Sequence, residues 1–386
     1  MAILGDYIHI KHGFAFKGDY ITADDNGVVL VTPGNFEIGG GFKEKKCKYY
    51  SAEYPKEYVL QAGDLIVTMT DLSKQGDTLG YSALIPESSR TYLHNQRIGL
   101  VEVFNPDADK NYIYWFMRTP RYQKTIVATA SGSTVKHTSP SRICAVEVDL
   151  PPLDEQYRVA SILDVIEQKI QNNNRVNRNL QQQAQAIYQR WFSVSGQTSE
   201  CGILADICDY SNEKIAVSDL SLNNYYSTEN MLPGKDGAVN ASTIPTVAQT
   251  TKCKAGDVLI SNIRPYFKKI VYCQSECGCS TDVLCFTPKI PELSAYLYST
   301  LYTDRFFDFM VAGSKGTKMP RGDKQQIMTC PVSIPSNDEL CRFNAIAIPV
   351  LSHIERNRIE NTRLSSLRDA LLPKLMSGEI DVSNIQ

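Results

Sequence analysis

A long internal repeat is the feature of this sequence that most restricts how the chain can fold. Gly132–Phe192 align without a gap on Gly316–Met376, at an offset of 184 positions, and Asp154-Glu155 then match Asp338-Glu339. Solenoid repeats have periods of roughly 20–50 residues, so this period indicates a duplicated domain with an attached helix. A duplicated unit usually packs about a pseudo-twofold axis, and many double-stranded DNA sites have the same symmetry.

Length, charge and cysteine content limit the class of protein. The 386 residues are enough for two domains with full cores. The net charge of −2 argues against a generic nucleic-acid coat, but local basic patches can still bind DNA. We expect this chain alone to bind DNA weakly and to need partners. The 11 cysteines are scattered and no secretory signal is evident, so we expect buried free thiols in a reducing cytoplasm. No apolar run reaches the roughly 18–20 residues of a membrane span, and we expect no membrane partner.

Each copy of the repeat is preceded by a β-rich stretch with a shared turn. Gly63-Asp64 stand before Leu65-Ile66-Val67, and Gly256-Asp257 stand before Val258-Leu259-Ile260. A glycine–aspartate pair before an apolar, β-branched run predicts a turn that leads into a buried strand. One short helix is predicted around residues 112–124 and its counterpart around 295–310, each followed by a glycine-rich loop.

A long helix is predicted at the end of each copy. Prolines stop a strand at Pro151-Pro152 and at Pro335, and the acidic pairs that follow favour a helix N-terminus. Apolar positions then recur at steps of three and four, which indicates a coiled-coil seam in a helix of about 38 residues, or about 57 Å. Pro349 should kink the second helix or delay its start. The predicted seam residues are Ile162, Ile166, Ile170, Asn173, Asn177, Leu180, Ile187, Ile346, Val350, Ile354, Asn357, Asn361, Leu364 and Leu371.

The asparagines decide between two interpretations of this seam. A purely apolar stripe would be explained by core packing alone. Polar seam residues lower stability but fix register, and fixed register is what a spacer between two domains needs. Residues 193–200 are rich in serine, glycine and glutamine and are predicted to link the first helix to the second unit.

Motifs for catalysis are not found in the sequence. It has no phosphate-binding loop, no dinucleotide fingerprint and no His-Glu-x-x-His pair, so we predict no catalytic residues and no cofactor bound by this chain. Cys273, Cys277, Cys279 and Cys285 lie close together, but their spacing is not the paired CxxC of zinc sites. Buried or surface thiols are favoured over structural zinc, which remains an alternative.

Polar and basic residues recur in equivalent loops of the two units. Serine, threonine and lysine suit phosphate contacts, whereas arginine and asparagine can pair with base edges. Lys74, Lys136, Lys268, Lys315 and Lys318 are predicted to bind phosphates, and Arg264 and Arg321 to contact bases. The complete predicted DNA-binding set is Thr70, Lys74, Arg90, Arg97, Lys136, His137, Asn262, Arg264, Tyr266, Lys268, Lys315, Lys318 and Arg321. A set of solvated loops without function is the simpler alternative.

The order of these features resembles the specificity subunits of type I restriction–modification enzymes. The resemblance is carried by Gly63–Ile66 and Gly256–Leu259, by Ser131–Thr134 and Gly316–Lys318, and by Leu150–Gln156 running into a long helix. The second junction, Ile334–Leu340, lacks the second proline and the glutamine. The likeness covers nearly the whole chain.

The resemblance implies an α+β fold with two β-rich target-recognition domains separated by a pair of long antiparallel coiled-coil helices, in a pseudo-twofold duplication. The expected division is a first recognition domain at 1–152, a central helix at 153–195, a second recognition domain at 196–336, and a C-terminal helix and tail at 337–386. The chain itself would be non-catalytic and would read a bipartite, asymmetric double-stranded DNA target. Two adenine-N6 methyltransferase subunits, with S-adenosylmethionine, would dock along the helices. Restriction or translocase subunits, with ATP and Mg²⁺, could join them.

Three other functions remain open at this point. The chain could be a duplicated protein-interaction scaffold without a DNA role, or a specificity subunit of a different methyltransferase-containing defence system. A self-sufficient modification enzyme would bind S-adenosylmethionine on its own.

Overall fold

Contacts divide the chain into two units that each combine a β-rich part with segments of two long helices. The computed structural model describes residues 2–45, 47–73, 75–192 and 200–383. Unit 1 comprises Met1–Ile170 and Thr362–Gln386, and unit 2 comprises Gln171–Asn361. The predicted α+β class is confirmed. The predicted linker at 193–200 lies, up to residue 199, outside the described residues.

Unit 1 contains two main sheets and the first half of the first long helix. The strands are β1 Ala2–Ile3, β2 Ile8–His12, β3 Ile21–Thr22, β4 Val28–Val31, β5 Lys48–Tyr50, β6 Val59–Leu60, β7 Leu65–Thr68, β8 Thr70–Asp71, β9 Ser82–Leu84, β10 Thr91–His94, β11 Ile98–Val103, β12 Lys136–His137 and β13 Glu147–Val148. The helices are α1 Lys110–Phe116, α2 Pro120–Ala128, α3 Pro140–Cys144 and α4 Leu153–Phe192. One sheet has the order β2-β11-β7-β9 and the other the order β3-β5-β4-β10-β6.

Unit 2 repeats the first of these sheets. Its strands are β14 Glu200–Ile203, β15 Cys208–Tyr210, β16 Lys214–Ala216, β17 Tyr225–Tyr226, β18 Gln249–Cys253, β19 Val258–Ser261, β20 Ile270–Tyr272, β21 Cys277–Cys279, β22 Val283–Pro288 and β23 Pro331–Ile334. Its helices are α5 Leu204–Ile207, α6 Ser294–Leu301, α7 Asp304–Ala312, α8 Lys324–Met328 and, as far as Asn361, α9 Asn337–Met376. The sheet β15-β22-β19-β20 corresponds to β2-β11-β7-β9, and the second sheet has the order β16-β18-β21-β17.

The glycine–aspartate turns lead into buried strands, as the sequence predicts. Gly63 and Gly256 have φ values of +81° and +92°, a conformation that favours glycine. Asp64 Oδ2 accepts a hydrogen bond from the backbone N–H of Gln61, and Asp257 Oδ2 accepts one from that of Lys254, both at 2.8 Å. Every residue of the strands that follow, β7 and β19, is buried.

The single short helix predicted in each unit is wrong, because each is a pair of helices. In unit 1, α1 ends at Phe116 and Thr119 starts α2 by accepting a hydrogen bond from the N–H of Tyr122. In unit 2, Thr303 starts α7 in the same way. A threonine N-cap favours a new helix start within an otherwise helical pattern, and the apolar periodicity does not reveal it.

The long helices begin where the acidic pairs predict and are continuous. Ser336 and Glu339 form a capping box at the start of α9: Glu339 Oε2 accepts from the N–H of Ser336 at 2.8 Å, and Ser336 Oγ from the N–H of Glu339 at 3.4 Å. Since α9 begins at Asn337 and Pro349 lies within it, the predicted late start is wrong.

Both long helices contribute to the hydrophobic core of each unit. The core of unit 1 includes Leu163 of α4 and Leu372 and Leu375 of α9. The core of unit 2 includes Phe192 of α4 and Phe343 of α9, whose ring centroids are 5.4 Å apart. The helices are therefore integral parts of the two folded units as well as connections between them in sequence.

Most predicted seam residues lie on the packed face, with one clear exception. Ile166, Ile170, Asn173, Ile354 and Asn357 are buried, and Ile162, Asn177, Leu180, Ile187, Val350, Asn361, Leu364 and Leu371 are partly buried. Ile346 is 38% exposed, whereas its neighbour Ala347 is only 1% exposed. The packed face passes through Phe343 and Ala347, so the seam assignment of Ile346 is wrong.

The seam asparagines of unit 2 hydrogen-bond in reciprocal pairs. Asn173 Nδ2 donates to Asn361 Oδ1 at 2.9 Å, and Asn357 Nδ2 donates to Asn177 Oδ1 at 2.8 Å. As residue numbers rise along α4 they fall along α9, so the two helices are antiparallel in this unit. The offset of the repeat maps Asn173 onto Asn357 and Asn177 onto Asn361, and hence one pair onto the other.

Unit 1 fixes its helices with a carboxylate held between two arginines. Glu167 Oε2 of α4 lies 2.7 Å from Arg368 Nη1 of α9 and 3.6 Å from Arg118 Nη1. The Arg118 guanidinium lies 4.3 Å from the ring centroid of Trp115, and its Nε donates to the carbonyl of Gly39 at 2.9 Å. This network connects both long helices to the β-rich part of unit 1.

We expect Glu167→Gln to lower the free energy of unfolding by about 3 kcal/mol, because it removes the carboxylate that faces the buried Arg118 guanidinium and one of the two carboxylates that pair with Arg368. The measurement is the denaturant midpoint. Asp154→Asn is the matched control, since Asp154 pairs with Arg158 on the surface with 67% of its side chain exposed; its change should stay within about 0.5 kcal/mol. Equal effects of the two substitutions would contradict a structural role for Glu167.

Candidate nucleic-acid interface

The loop after the glycine–aspartate strand meets the glycine-rich loop in unit 1. Strand β8 (Thr70–Asp71) pairs with β12 (Lys136–His137), and Thr70 Oγ1 lies 3.2 Å from His137 Nδ1. Gly132 has a φ of +93°, and a Cβ there would lie 2.0 Å from the carbonyl oxygen of Val135, so only glycine fits. We call residues 69–71, 97 and 131–138 the loop junction of unit 1.

Unit 2 has a loop junction built in the same way, formed by residues 262–264, 282 and 315–322. Arg321 forms an antiparallel bridge with Ile263 on one side and with Lys315 on the other. The N–H of Arg264 donates to the carbonyl of Pro320 at 2.8 Å. Two loops that are far apart in sequence are therefore held together by backbone hydrogen bonds.

Corresponding backbone hydrogen bonds make the two junctions equivalent position by position. Ser131 and His137 exchange both backbone hydrogen bonds, at 2.9 and 2.8 Å, and Lys315 and Arg321 do so at 2.9 and 3.0 Å. His137 and Arg321 thus occupy the same position, as the repeat offset predicts.

Two further bonds extend the equivalence. The N–H of Met69 donates to the carbonyl of Arg97 at 2.9 Å, as that of Asn262 does to the carbonyl of Asp282 at 2.8 Å. The Thr68 hydroxyl donates to the carbonyl of Thr70, and the Ser261 hydroxyl donates to the carbonyl of Ile263.

A buried carboxylate organises the unit 1 junction, and sequence reasoning missed it. Asp71, only 4% exposed, accepts hydrogen bonds from the N–H of Ser73 at 2.6 Å and from the N–H and hydroxyl of Thr78 at 2.5 and 2.6 Å. Burial alone would raise the pKa of Asp71, but these hydrogen bonds outweigh it and hold the pKa below its ordinary value. The only signal in the sequence is an aspartate followed by a serine at a turn-forming spacing.

Acidic partners accompany several of the predicted basic residues in unit 2. Lys315 Nζ lies 2.5 Å from Asp323 Oδ2, and Lys268 Nζ lies 2.6 Å from Asp304 Oδ1. Hydrogen bonds from Lys268 and from Lys235 keep the pKa of Asp304 below its ordinary value, and the hydrogen bond from Lys315 does the same for Asp323. Exposed ion pairs contribute little stability, so a phosphate can compete for these lysines.

Backbone strain concentrates in one pair of loops in unit 2. Among the described residues, those other than glycine with positive φ are Lys235 (66°), Arg264 (52°) and Lys268 (52°). The loops carrying them are joined by a hydrogen bond from the N–H of Lys235 to the carbonyl of Lys268 at 2.9 Å. Arg264 Nε and Asn262 Oδ1 are buried without a hydrogen-bond partner. Strained residues and unsatisfied polar atoms gather at binding sites because the ligand or the mechanism requires them.

The remaining predicted residues differ in how accessible they are. Arg97, His137, Tyr266 and Lys318 are exposed, Lys136 is half-buried, and Thr70 and Asn262 are buried. Arg90 lies beside the five-stranded sheet, where its guanidinium pairs with Asp25 at 2.6 Å, and the structure does not bring it to the junction. Lys74 lies outside the described residues.

The four neighbouring cysteines are buried together in unit 2. Cys273, Cys277, Cys279 and Cys285 pack in one apolar cluster with Cys253, and all are free thiols. Cys277 Sγ lies 3.6 Å from Cys273 Sγ, and Cys285 Sγ lies 3.3 Å from Asp257 Oδ2. No group of three or more histidine, cysteine or acidic side chains in the described part of the chain is arranged to hold a metal ion. No described helix is long and apolar enough to cross a membrane.

Comparison with known proteins gives matches to one family. Residues 2–182 match the family described as Type I restriction modification DNA specificity domain. The chain is 34% identical over 158 residues to the type I restriction enzyme EcoBI specificity subunit of Escherichia coli, covering 41% of this chain and 30% of that protein. It is 22% identical over 314 residues to the MjaIX specificity subunit of Methanocaldococcus jannaschii, covering 71% of this chain and 70% of that protein.

A solved structure has the same fold. The S subunit of a type I restriction-modification system from M. genitalium aligns over 97% of this chain and 94% of its own, with a TM-score of 0.61 and 16% identity. At that identity the match shows the fold alone. The E. coli alignment spans less than a third of that subunit's length.

We expect Asp71→Ala to loosen the unit 1 junction while leaving the sheet intact, because three hydrogen bonds to one buried carboxylate are lost. Amide hydrogen exchange at Ser73 and Thr78 should accelerate, and exchange in β7 should not. Asp77→Ala, an exposed aspartate in the same loop, is the control.

The protection that Asp71 provides should also depend on pH. A carboxylate whose pKa is lowered by folding stabilises the folded loop fully at any pH above the pKa of the unfolded chain, which is about 3.9 for aspartate. This stabilisation is lost as the pH falls through the pKa of the folded state. The wild-type loop should therefore keep its protection at neutral pH and lose it below about pH 4. Unchanged exchange in Asp71→Ala at neutral pH would show that the loop does not depend on this carboxylate.

Proposed function

We propose that the chain is a type I restriction–modification DNA specificity subunit and that it reads a bipartite, asymmetric double-stranded DNA sequence for partner enzymes. The family match of residues 2–182 and the similarity to the two specificity subunits support this proposal. The observation that carries the proposal is the repeated loop junction. Each unit presents polar and basic side chains at equivalent positions of the same backbone frame. Because the frames match and the side chains differ, the two units would read different half-sites.

Phosphate contacts and base contacts would come from different residues of each junction. Lysines such as Lys136, Lys315 and Lys318 suit phosphate oxygens, which position the protein without reading sequence. Arginine side chains such as Arg264 and Arg321 can donate two hydrogen bonds to one base. The net charge of −2 means that the chain as a whole gains little from long-range attraction to DNA, so partner subunits would supply much of the affinity.

Catalysis would belong to the partners. Two adenine-N6 methyltransferase subunits with S-adenosylmethionine would dock on the long helices, and restriction or translocase subunits using ATP and Mg²⁺ could join them in a prokaryotic cytoplasm. Exposed apolar side chains on those helices support this role: Tyr157 and Val165 on α4 are 54% and 65% exposed, and Ile359 and Leu367 on α9 are 45% and 49% exposed. Apolar residues of this size on a helix surface are typical of protein interfaces.

The asparagine pairs give the helices a further role. Hydrogen bonds between Asn173 and Asn361 and between Asn177 and Asn357 can all form in only one register. We propose that this register fixes the separation of the half-sites.

The decisive experiment is methylome sequencing in a host without its own modification, after expression of this chain with its methyltransferase subunit. We expect N6-methyladenine at one split, asymmetric motif, and no methylation when this chain is omitted. A purified complex that methylates nothing and shows no salt-dependent DNA binding would favour the protein-interaction scaffold. The genes that neighbour this one distinguish type I from another methyltransferase-containing defence system.

We expect Val165→Glu to prevent copurification with the methyltransferase subunit, because it places a charge in the proposed apolar interface. The thermal midpoint of the chain should not change, since Val165 is largely exposed. Gln183→Glu adds the same charge at an exposed polar position of α4 and should leave the complex intact. Normal assembly and methylation by Val165→Glu would exclude this face of α4 as the docking surface.

A further inference from the structure

Arg321 of the unit 2 loop junction is held by its backbone and by an ion pair. Its backbone is bridged to Ile263 and to Lys315, and its Nη2 lies 2.9 Å from Asp282 Oδ1. The carbonyl of Asp282 in turn accepts a hydrogen bond from the N–H of Asn262 at 2.8 Å. Both side chains remain accessible, with 57% of Arg321 and 39% of Asp282 exposed. The backbone bridges fix where the side chain starts, and the ion pair with Asp282 favours one orientation of the guanidinium before any ligand arrives.

The carboxylate beside Arg321 makes a base a better ligand than a phosphate. Asp282 neutralises the positive charge locally and repels a phosphate oxygen. It occupies one edge of the guanidinium, whose other N–H donors stay available. Lys318, on the same loop, is exposed and has no ion pair within the described residues, so it is the better phosphate ligand.

The available donors select one base. Guanine presents two acceptors, O6 and N7, to the major groove, and an arginine fork can bind both. Adenine places a donor beside its N7, and thymine offers a single acceptor beside a methyl group. The neighbouring carboxylate can also accept from the N4 amino group of cytosine, which favours a G·C pair further.

Unit 1 has different chemistry in the same frame. His137 takes the position of Arg321, with Thr70 Oγ1 at 3.2 Å from its Nδ1. Arg97 takes the position of Asp282, since its carbonyl accepts from Met69 as that of Asp282 accepts from Asn262. With no carboxylate at that position, unit 1 lacks the arrangement that would select guanine there.

We propose that Arg321 reads a guanine in the half-site contacted by unit 2, and that Asp282 is the positioning residue that orients its guanidinium. This inference rests on the proposed function. It adds the identity of one base pair and the residue pair that determines it.

The test compares variants of the full chain in complex with the methyltransferase subunit. Methylome sequencing should show that Arg321→Ala accepts other bases at one position of one half-site, with discrimination there falling about 10-fold or more. Arg321→Lys keeps the charge and the backbone bridges but lacks the two-pronged guanidinium donor, so it should relax the same position. It tests the inference even where Arg321→Ala fails to fold. Asp282→Asn should relax that position to a smaller extent and bind non-target DNA more tightly, because an unneutralised arginine is then exposed.

Two controls distinguish a base contact from a phosphate contact. Lys318→Ala should weaken binding to all sequences alike, without altering the methylated motif. The slope of log affinity against log salt concentration should fall by about one, the contribution of one phosphate contact. A duplex with 7-deazaguanine at the predicted position lacks the N7 acceptor. It should bind wild type more weakly than the normal duplex, and Arg321→Ala should bind the two duplexes equally.

The outcomes separate this inference from the proposed function. Absence of any methylation by the wild-type complex would count against the function itself. A wild-type complex that methylates, together with Arg321 variants that keep full stringency or lose affinity for all sequences equally, would overturn the guanine assignment. Relaxation by Arg321→Ala without any effect of Asp282→Asn would overturn the positioning role of Asp282.

Discussion

Neither unit completes its hydrophobic core without a segment of each long helix, and the rest of the structure depends on this requirement. Unit 1 uses the beginning of α4 and the end of α9, and unit 2 uses the end of α4 and the beginning of α9. A shift of one helix along the other would expose residues such as Leu163 and Phe343 to water, each costing about 1.5–3 kcal/mol. The core contacts and the seam asparagines therefore favour the same register.

Features that depend on spacing along the chain could be predicted from the sequence. The glycine–aspartate turns, the long helices and the equivalence of His137 with Arg321 all follow from periodicity or from the repeat. Packing details could not be predicted. Ala347 is buried where the more apolar Ile346 is exposed, because Ala347 lies one turn after Phe343 on the packed face and the rotation of the helix depends on its packing partners. Asp282 was missed because its partner, Arg321, is distant in sequence and the two meet only in the folded unit.

The loop junctions combine an unchanging backbone frame with side chains that differ between the units. Backbone hydrogen bonds define the frame and place few demands on the side chains, so residues at its exposed positions can vary without loss of the fold. In unit 2, Asp282, Asp304 and Asp323 hold nearby cations in place and reduce the local positive charge. In the DNA-binding role proposed above, such pairing would weaken non-specific attraction to DNA. Specificity would then depend mainly on the orientation of the hydrogen-bond donors.

The division of α9 between the units also sets the order in which a nascent chain can fold. A ribosome completes residues 171–361, all of unit 2, before it adds Leu372, Leu375 and Val382, which are buried in the core of unit 1. The β-rich part of unit 1 is made first yet has to wait for this segment, with apolar surface uncovered while unit 2 is synthesised. Translation that stops shortly after residue 361 would therefore leave the core of unit 1 incomplete and spare that of unit 2.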